Sequence, residues 1–594
     1  MKFRKKNLTI GLMIFLVCSC DINNLNQPAL GKLDESKLAN KTGVEALLIG
    51  AYSLLDGVSI DDVHFIGGNG NSPSNWIYGS ICGSEAYEGS QQTDIPEIRN
   101  IEKFKSIASN LFFDEKWTAI YAGVARTNTV LRVMTKATDI SIEDQKRIAA
   151  EARFLRAFYH LEAVKLWNNV PFVDETITYD AGNYHPANDK SIWPNIENDF
   201  KFSFANLPAK ATATGRANKY AAEAFLLKVY VFQHKFQEAQ LLIPDLINNG
   251  STANGLKYAL LKNYADNFNI ETKNREESVF AAQMSVNDGA DYTDPGGNVG
   301  GGFNGNFADE LNFPSGNNSV TLCCGFFQPS QWLVNHFKTD PVTGLPDLDN
   351  FNTVDVKNDG GILSRTAFTP YDGTLDPRLD WTVGRRGIPY LDWADHPGAD
   401  WIRDQNYSGP YSPKKNVFYK SQVGIYTNTS GWPPMASANN VNLIRFSDIL
   451  LWAAEVEIES GDLNKAREYV NQVRRRAADP STWLKKSDGT VAANYKIGEY
   501  TNPWNDKTYA RKVLRYERML ELGMEGHRFF DLVRWGIADT EINAYLQKEK
   551  MTRTYLNDAI FKKGINEIFP IPQRQIDLSA GADGTRKMIQ NPGY

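Results

Sequence analysis

The sequence has few of the residues that metal sites most often use. Its 594 residues include five cysteines and seven histidines, and neither Cys323-Cys324 nor the scattered histidines have the spacing of a zinc site. Beyond residue 20 only Cys82, Cys323 and Cys324 remain, so a disulfide from Cys82 to either of the other two is possible, and its connectivity stays open. The sequence therefore predicts no zinc site and at most one disulfide.

The chain also lacks a hydrophobic run long enough to cross a membrane. Residues 8–17 are apolar, but this stretch is far shorter than the roughly 20 residues that span hydrocarbon, and no second run is long enough. The net charge is −6, and removal of the four positive side chains of the first 19 residues would bring it to −10. This acidic balance argues against nucleic acid or an anionic membrane face as a partner.

The N-terminus has the pattern of a bacterial lipoprotein signal. A cationic start precedes the apolar stretch, Val17 lies three residues before Cys20, and the small Ser19 lies directly before it. We predict that residues 1–19 are removed, that Cys20 is lipidated, and that residues 20–40 form a tether to a membrane. An ordinary secretory signal is the alternative, and Cys18 is a weaker lipidation site because no small residue precedes it.

Several segments have the apolar period of helices, and they occur in pairs. A helix around 148–159 is apolar on two flanks and needs neighbours on both, with Ser141 and Asp144 as its N-terminal cap. The paired segments are 117–134 with 148–159, 220–232 with 236–247, and 445–459 with 464–478, and a last unit covers 509–535. This arrangement is typical of tetratricopeptide-like (TPR-like) repeats, so we predict a mainly α fold with a scaffold of TPR-like helical hairpins.

Residues 264–442 differ from the helical segments in composition. They are rich in Gly, Pro and Asn and contain only short apolar runs, which indicates loops, short strands and a few helices, one of them near 329–337. We therefore predict an N-terminal helical part over 41–263, a loop-rich central lobe over 264–442, and a C-terminal helical part over 443–594.

Aromatic residues make up 12% of the chain, and many lie in loops. Exposed flat rings beside amides are what a sugar-binding surface needs, and residues 69–87 and 291–332 offer both. The candidate ligand-binding residues are Asn71, Asn75, Trp76 and Tyr78 in the first region, and Tyr292, Phe303, Asn304, Asn306, Phe307, Phe326, Phe327, Gln328 and Trp332 in the second. Trp76 is the first choice, and burial in the core is the alternative for Trp332, Trp393, Trp401 and Trp432.

The sequence offers weak candidates for catalysis. Glu517, Glu521 and Glu525 follow one another at intervals of four and could suggest a glycosidase acid/base pair, but carboxylates on one helical surface face near Arg518 and Arg528 are usually ion-paired. No Ser-His-Asp, HExxH or phosphate-loop pattern occurs. We predict a structural role for the three glutamates and no catalytic residue.

Asp340, Asp347 and Asp349 are the candidates for a metal site. Calcium prefers several oxygen ligands close together, but this spacing does not fit a helix-loop-helix calcium site. We interpret the three as turn residues and predict no metal or cofactor, with a bound calcium ion as the minor alternative.

Several segments along the mature chain form a recognisable series. They are 117–121 with Asn128, 151–159 followed by Trp167 and Val170-Pro171, Gly215-Arg216-Ala217, 445–451, 517–536, Pro570-Ile571-Pro572, and the ending 590–594. In order and spacing these segments resemble the SusD/RagB family of nutrient-capturing surface lipoproteins of Bacteroidetes, which makes the match specific.

The resemblance implies a mainly α fold with four TPR-like units and a loop-rich lobe that holds the ligand. It also implies binding rather than catalysis: a lipid-anchored lid on the outer membrane surface that captures oligosaccharide for a SusC-like TonB-dependent transporter. Capture of peptides is the main alternative, while a glycoside hydrolase and a purely structural TPR adaptor are the others. The resemblance assigns ligand contacts to regions of this sequence and not to single residues, because the binding loops vary among members of the family.

Overall fold

The computed structural model describes residues 35–57, 68–286, 305–316, 318–321, 324–428, 436–581 and 583–594. The predicted lipidation site Cys20 and most of the predicted tether lie outside the described residues, as do Tyr292, Phe303, Asn304 and Trp432. Asn306 and Phe307 belong to a described 3-10 helix, but their side chains lie outside the description.

Helices dominate the described residues, as predicted. The α-helices are α1 (Lys41–Tyr52), α2 (Pro96–Glu102), α3 (Leu111–Met134), α4 (Ile142–Trp167), α5 (Trp193–Asn206), α6 (Lys219–Phe232), α7 (Phe236–Asn248), α8 (Gln331–His336), α9 (Leu379–Thr382), α10 (Gln405–Ser408), α11 (Phe446–Ser460), α12 (Leu463–Ala477), α13 (Lys507–Leu522), α14 (Arg528–Arg534), α15 (Ala538–Glu549) and α16 (Gln573–Leu578). A π-helix spans Trp76–Ile81, and short 3-10 helices include Asn69–Asn71, Tyr264–Phe268, Ile270–Thr272 and Gly305–Asn312.

Local sequence signals set the ends of these helices. The Ser141 hydroxyl accepts a hydrogen bond from the Asp144 backbone N–H at the start of α4, as the cap prediction requires. Asp462 caps α12 by accepting from the N–H groups of Asn464 and Lys465, directly after α11 ends at Gly461. His234 adopts a positive φ of 57° and closes the turn between α6 and α7. The predicted hairpins are therefore confirmed.

The helices pack in sequence into one array. Helix α3 packs on α1 and α4, α4 on α5, α5 on α6, and α6 on α7. The array continues through α11, which packs on α7 across the long intervening segment, and on to α12 and α13. The central lobe is thus an insertion into a TPR-like scaffold, and the last predicted unit is two helices, α13 and α14, separated by residues 523–527.

The described strands are short and pair in twos. They are β1 (Ala86–Gly89), β2 (Ser278–Ala282), β3 (Phe326–Pro329), β4 (Val383–Gly384), β5 (Pro389–Tyr390), β6 (Ala394–Asp395), β7 (Ser412–Pro413) and β8 (Val441–Arg445). The antiparallel pairs are β1 with β3, β2 with β8, β4 with β7, and β5 with β6. The lobe also has a small core of its own, which includes Phe313, Tyr390, Trp401 and Phe418.

A buried ionic network joins the lobe to the scaffold. Glu521 on α13 accepts hydrogen bonds from Arg378 at 3.0 Å and Arg445 at 2.7 Å, and also from Arg476. Glu517 bonds Arg378 and Arg474. The prediction of ion-paired glutamates is confirmed. The expected position on a surface face is wrong, because Glu517 and Glu521 are at most 1% exposed and their partners come from the lobe, β8 and α12.

Two further sequence predictions concern cysteine and membrane crossing. Cys82 is a buried free thiol, so the possible disulfide from Cys82 to Cys323 or Cys324 is wrong. Within the described ranges, none of the helices combines the length and apolar character that crossing a bilayer requires.

Candidate functional site

The structure brings the two predicted ligand-binding regions together. Strand β1 pairs with β3 in a register that places Ala86 opposite Pro329. The Trp76 ring lies 5.6 Å from the Phe327 ring and 6.5 Å from the Phe326 ring, measured between centroids. These aromatic contacts join the early loop to the central lobe.

The rings in this contact are buried, which corrects the prediction that they face solvent. Trp76 and Tyr78 are 1% exposed, and Phe326 and Phe327 are 2% and 3% exposed. Stacking on a sugar needs an open ring face, and these faces are covered by protein. The composition of the loops did not reveal this burial, because aromatic residues between turn signals serve equally well as core.

Other predicted residues are buried as well, and the expectation that they are exposed is wrong. Asn71 and Asn75 are each 7% exposed, and the Asn75 amide donates to Glu162 at 2.9 Å. Gln328 is fully buried in β3. Trp332 is 6% exposed on α8 and packs edge-on against Phe351, which matches the alternative of burial on a short helix. We therefore place no ligand contact on these side chains.

Two of the remaining tryptophans pack within the lobe. Trp401 is 3% exposed in the small lobe core, and half-buried Trp393 donates its indole N–H to the Phe418 carbonyl.

A polar pocket opens beside this buried unit, which we call the amide pocket. Its volume is about 80 Å³. Its walls come from the early loop, the lobe, β8 and the turn after α13, and its lining residues are Ser74, Phe268, Asp309, Lys415, Asn416, Ser437, Asn439, Asn440, Val441, Asn442, Met524 and Glu525. Both predicted regions contribute to it, through Ser74 and Asp309, which were not among the candidate residues.

Asp309 fastens the early loop to one wall of the pocket. Its carboxylate accepts hydrogen bonds from the hydroxyls of Ser72 and Ser74, each at 2.8 Å. Burial raises the pKa of Asp309, whereas the two hydroxyls and Lys116 act in the opposite direction. This wall therefore presents hydrogen-bonding oxygens held in fixed positions.

Asn416 presents an unused acceptor at this site. Its amide nitrogen donates to the Asn312 carbonyl at 3.0 Å, which fixes the orientation of the side chain. Its Oδ1 atom is buried and has no hydrogen-bond partner. A buried acceptor without a partner costs roughly 1–3 kcal/mol, and a ligand hydroxyl that displaces the atoms covering it and donates to it would remove that cost.

Backbone carbonyls and neighbouring amides orient the asparagines of the opposite wall. Asn439 donates to the Phe268 carbonyl at 3.1 Å, and Asn442 donates to the Asn267 carbonyl at 2.9 Å. Asn440 donates to Gln283 at 3.0 Å and accepts from the Met284 N–H at 3.0 Å. Because these contacts fix the side chains, a ligand would order few of them on binding.

The charges of Lys415 and Glu525 in the amide pocket are paired within the protein. Lys415 donates to Glu525 at 2.7 Å and lies 4.8 Å above the half-buried Phe268 ring. Burial raises the pKa of Glu525, but Arg445 and Lys415 outweigh burial and hold the pKa at about 2. Glu525 is thus an ionised partner of the two cations and not a proton donor near neutral pH.

The pocket's chemistry suits a neutral polyhydroxylated ligand. Fixed amides both donate and accept, Asn416 offers a free acceptor, and Phe268 supplies an apolar surface. The buried, paired states of Glu517 and Glu521 suit structural roles, because their carboxylates are committed to guanidinium groups.

Sequence reasoning missed the asparagine wall. The run Asn439-Asn440-Val441-Asn442 lies at the end of the predicted lobe and enters β8, so its amides lie where a strand meets a loop. Three amides within four residues was the available signal. The predicted site was placed where amides lie beside aromatic rings, and this asparagine run has no aromatic residue next to it.

The candidate calcium residues serve as turn residues, as interpreted from the sequence. Asp340 accepts from the N–H of Val342 at 3.0 Å and of Thr343 at 2.6 Å. Asp347 accepts from the N–H of Asp349 at 3.1 Å.

Comparison with known proteins decides the family. A model described as "SusD family" matches residues 276–594, which is more than half of the chain. This chain belongs to the SusD family. A second model, described as "Starch-binding associating with outer membrane", matches residues 69–231. The resemblance identified from the motifs is confirmed.

Curated SusD-like relatives match this SusD-family chain over most of its length. SusD-like protein P25 of Formosa agariphila is 23% identical over 90% of this chain and 90% of its own. A SusD-like protein of Bacteroides ovatus is also 23% identical, over 75% of this chain and 69% of its own.

Solved structures confirm the SusD-like fold. A laminarin binding SusD-like protein superposes with a TM-score of 0.64 at 22% identity, covering 93% of this chain and 100% of that one. A SusD superfamily protein from Bacteroides vulgatus gives a TM-score of 0.65 at 21% identity, covering 94% and 100%. Surface glycan-binding protein A from Bacteroides thetaiotaomicron, in complex with laminarihexaose, gives 0.63 at 18% identity, covering 93% and 99%. The mainly α, TPR-like architecture is thereby confirmed.

Proposed function

We propose that this protein binds oligosaccharide in the amide pocket and delivers it to a SusC-like TonB-dependent transporter. The observation that carries the binding proposal is the unpartnered Asn416 Oδ1 beside the fixed amides of Asn439, Asn440 and Asn442. Support also comes from two proteins of similar fold, one described as laminarin binding and one in complex with laminarihexaose. The proposal is one of binding without cleavage.

The cellular setting belongs to the same proposal. Lipidation at Cys20 would hold the protein on the outer membrane surface, in keeping with the outer-membrane description of the family model that matches residues 69–231. A tether over residues 20–40 would keep the protein beside its transporter. There the protein would close over the transporter as a hinged lid, and the closed form would be favoured when glycan is bound. Fractionation with a Cys20→Ala variant tests this part, and unchanged recovery in the outer-membrane fraction would contradict it.

Calorimetry of the chain from residue 21 on, titrated with a panel of oligosaccharides, tests the binding proposal. We expect Asn416→Ala to weaken binding of the captured glycan about tenfold, because one ligand hydrogen bond is lost. The matched control is Asn543→Ala, which removes an amide that bonds the carbonyls of Asp539 and Phe561 and the N–H of Phe561, none of which lines the amide pocket. Equal affinities of the wild type and Asn416→Ala would move the ligand to another surface.

Peptide capture is the other outcome of the same experiment. A parallel panel of peptides distinguishes the two ligands, and binding of peptides alone would contradict the glycan proposal. Prolonged incubation of a bound glycan followed by chromatography tests for cleavage, and shortened products would contradict the assignment as a binder.

A further inference from the structure

A second, smaller pocket adjoins the amide pocket and differs from it in charge. The two share Asn439, Asn440 and Asn442, which line both. The second pocket has a volume of about 10 Å³, room for about one water-sized group, and we call it the cationic pocket. Its lining residues are Leu261, Asn267, Thr272, Lys273, Asn274, Arg275, Ser278, Asn439, Asn440 and Asn442.

The lining of the cationic pocket includes two positive side chains and no carboxylate. Lys273 and Arg275 are the charged members, and all other lining residues are amides, hydroxyls or apolar. Glu271 and Asp266 belong to the same stretch of chain but do not line the pocket. In the amide pocket, by contrast, Lys415 is paired with Glu525.

Lys273 is an ammonium held in place with one donor unused. Its Nζ donates to the carbonyls of Met284 at 3.1 Å and Ala438 at 3.3 Å. An ammonium has three N–H donors, so one remains for a ligand. Burial lowers the pKa of Lys273, and no nearby carboxylate counteracts this effect among the described residues. A bound anion would supply the negative charge that this partly buried ammonium lacks.

Arg275 adds a second free donor group. Its side chain is exposed and makes no hydrogen bond with a described residue. Its charge acts on Asp266: burial raises the pKa of that carboxyl, and the Asn263 hydrogen bond and Arg275 act in the opposite direction. Its backbone carbonyl is fixed by the Ser278 N–H at 2.9 Å. A guanidinium beside an ammonium and several amides is a favourable setting for a carboxylate or sulfate oxygen.

We propose that the cationic pocket receives one oxygen of an anionic substituent, a carboxylate or a sulfate ester, on a glycan whose neutral sugar units occupy the adjoining amide pocket. This inference rests on the proposed glycan binding and adds the substrate class to it. The shared asparagines would contact the glycan where it passes from one pocket to the other. A neutral polymer would leave the third N–H of the Lys273 ammonium without an anionic acceptor.

Calorimetry with three hexasaccharides of equal length tests the inference: one neutral, one with uronic carboxylates and one with sulfate esters. We expect one anionic hexasaccharide to bind about tenfold more tightly than the neutral one at low salt, because charged hydrogen bonds contribute more than neutral ones. Tighter binding of the uronic hexasaccharide or of the sulfated one identifies the substituent. The preference should shrink as salt is raised.

Variants separate a ligand contact from a structural role. Arg275→Gln should remove about half of the free-energy preference for the anionic hexasaccharide and leave the neutral affinity unchanged, and Lys273→Met should remove more. The matched control is Lys146→Gln, which deletes one exposed positive charge on α4, outside the pocket lining. A thermal melt of each variant monitors folding, since Lys273 also holds two backbone carbonyls.

Three results would overturn the inference. Equal affinity of the wild type for neutral and anionic hexasaccharides would leave the amide pocket as a neutral-glycan site and remove the cationic pocket from the proposal. An equal loss of preference in Lys146→Gln would attribute the effect to net charge. Absence of binding to all three would overturn the glycan proposal itself, together with this inference.

Discussion

At the scale of single residues, buried charge distinguishes positions that look alike in sequence. Glu521 and Glu468 are both helical glutamates near arginines, yet Glu521 is fully buried among Arg378, Arg445 and Arg476, while half of the Glu468 side chain is exposed. The spacing of the glutamates predicted ion pairs correctly. It could not predict their burial, because the arginine partners lie far apart in sequence.

Removal of the Glu521 charge should strongly destabilise the protein. Glu521→Gln leaves the buried guanidinium groups with too little negative charge, so we expect the free energy of unfolding to fall by about 3–5 kcal/mol in urea denaturation. Glu468→Gln, which weakens an exposed pair with Arg475, should change it by about 0–1 kcal/mol. Similar losses in the two variants would contradict this account of the network.

Glu549 should make stability depend on pH. Burial raises its pKa from 4.5 to about 7, although the Tyr87 hydrogen bond and Arg553 lower it. The folded state therefore holds a proton that the unfolded state releases between these values. The contribution of Glu549 to the free energy of unfolding is thus fully present below pH 4.5 and is lost as the pH rises through 7. The loss amounts to roughly 3 kcal/mol.

The measurement is the free energy of unfolding at pH 5 and pH 8 for the wild type and Glu549→Gln. The variant is neutral at both values, so it should gain stability relative to the wild type as pH rises. Glu271→Gln, which alters an exposed carboxyl, should show no such trend. A constant difference between wild type and Glu549→Gln would indicate that Glu549 titrates normally.

At the scale of elements, periodicity predicted the helices well, and composition predicted the loops poorly. The α6–α7 hairpin follows from apolar spacing and a turn at His234, which are local signals. The π-helix Trp76–Ile81 has no comparable local signal, because it is held by contacts to the turn after α13, where Gly79 meets Gly526 and the Gly526 N–H donates to Ser80 at 2.9 Å. Its tryptophan was therefore predicted to be exposed, whereas tertiary packing buries it.

The contact between this π-helix and the turn after α13 should depend on glycine. A Cβ atom on Gly79 would lie 1.9 Å from the Gly526 carbonyl oxygen, so the backbones approach too closely for any side chain. We expect Gly79→Ala to lower the free energy of unfolding by about 2–4 kcal/mol, as overpacking at a rigid contact does.

The control for this prediction is a helical glycine in open space. A Cβ on Gly50 in α1 meets nothing within 4 Å, so Gly50→Ala should stabilise the protein by about 0.5–1 kcal/mol through helix propensity. Thermal unfolding of the two variants should therefore shift in opposite directions, and a gain in stability for Gly79→Ala would refute the close contact.

At the scale of the whole molecule, the ionic network makes lobe and scaffold one mechanical unit. Arg378 in the lobe bonds Asp376 beside it and Glu517 and Glu521 on α13. The lobe boundaries at 264 and 442 were predicted from composition and remain predictions. Composition does not reveal how strongly the inserted lobe is tied to the helices around it.

Hydrogen exchange should reveal this coupling. Arg378→Met removes the cation between lobe and scaffold, so we expect faster exchange in peptides from both the 376–384 region and α13. Arg386→Met is the control, because the polar partners of that side chain all lie within the lobe: the carbonyls of Ile362, Ser364 and Thr366, and the Asp359 carboxylate at 3.8 Å. Its effect should stay within the lobe. Faster exchange in α13 for the control would argue against a specific link through Arg378.

The amide pocket is assembled from stretches that run from Ser74 to Glu525. During synthesis, a chain that has not yet emerged past residue 525 lacks one wall, whichever parts have already folded. Under the proposed function, glycan binding therefore requires all of these stretches, and copies cut short or misfolded in any of them would not bind. Glycan binding would consequently serve as a laboratory assay of correct folding for variants of this chain.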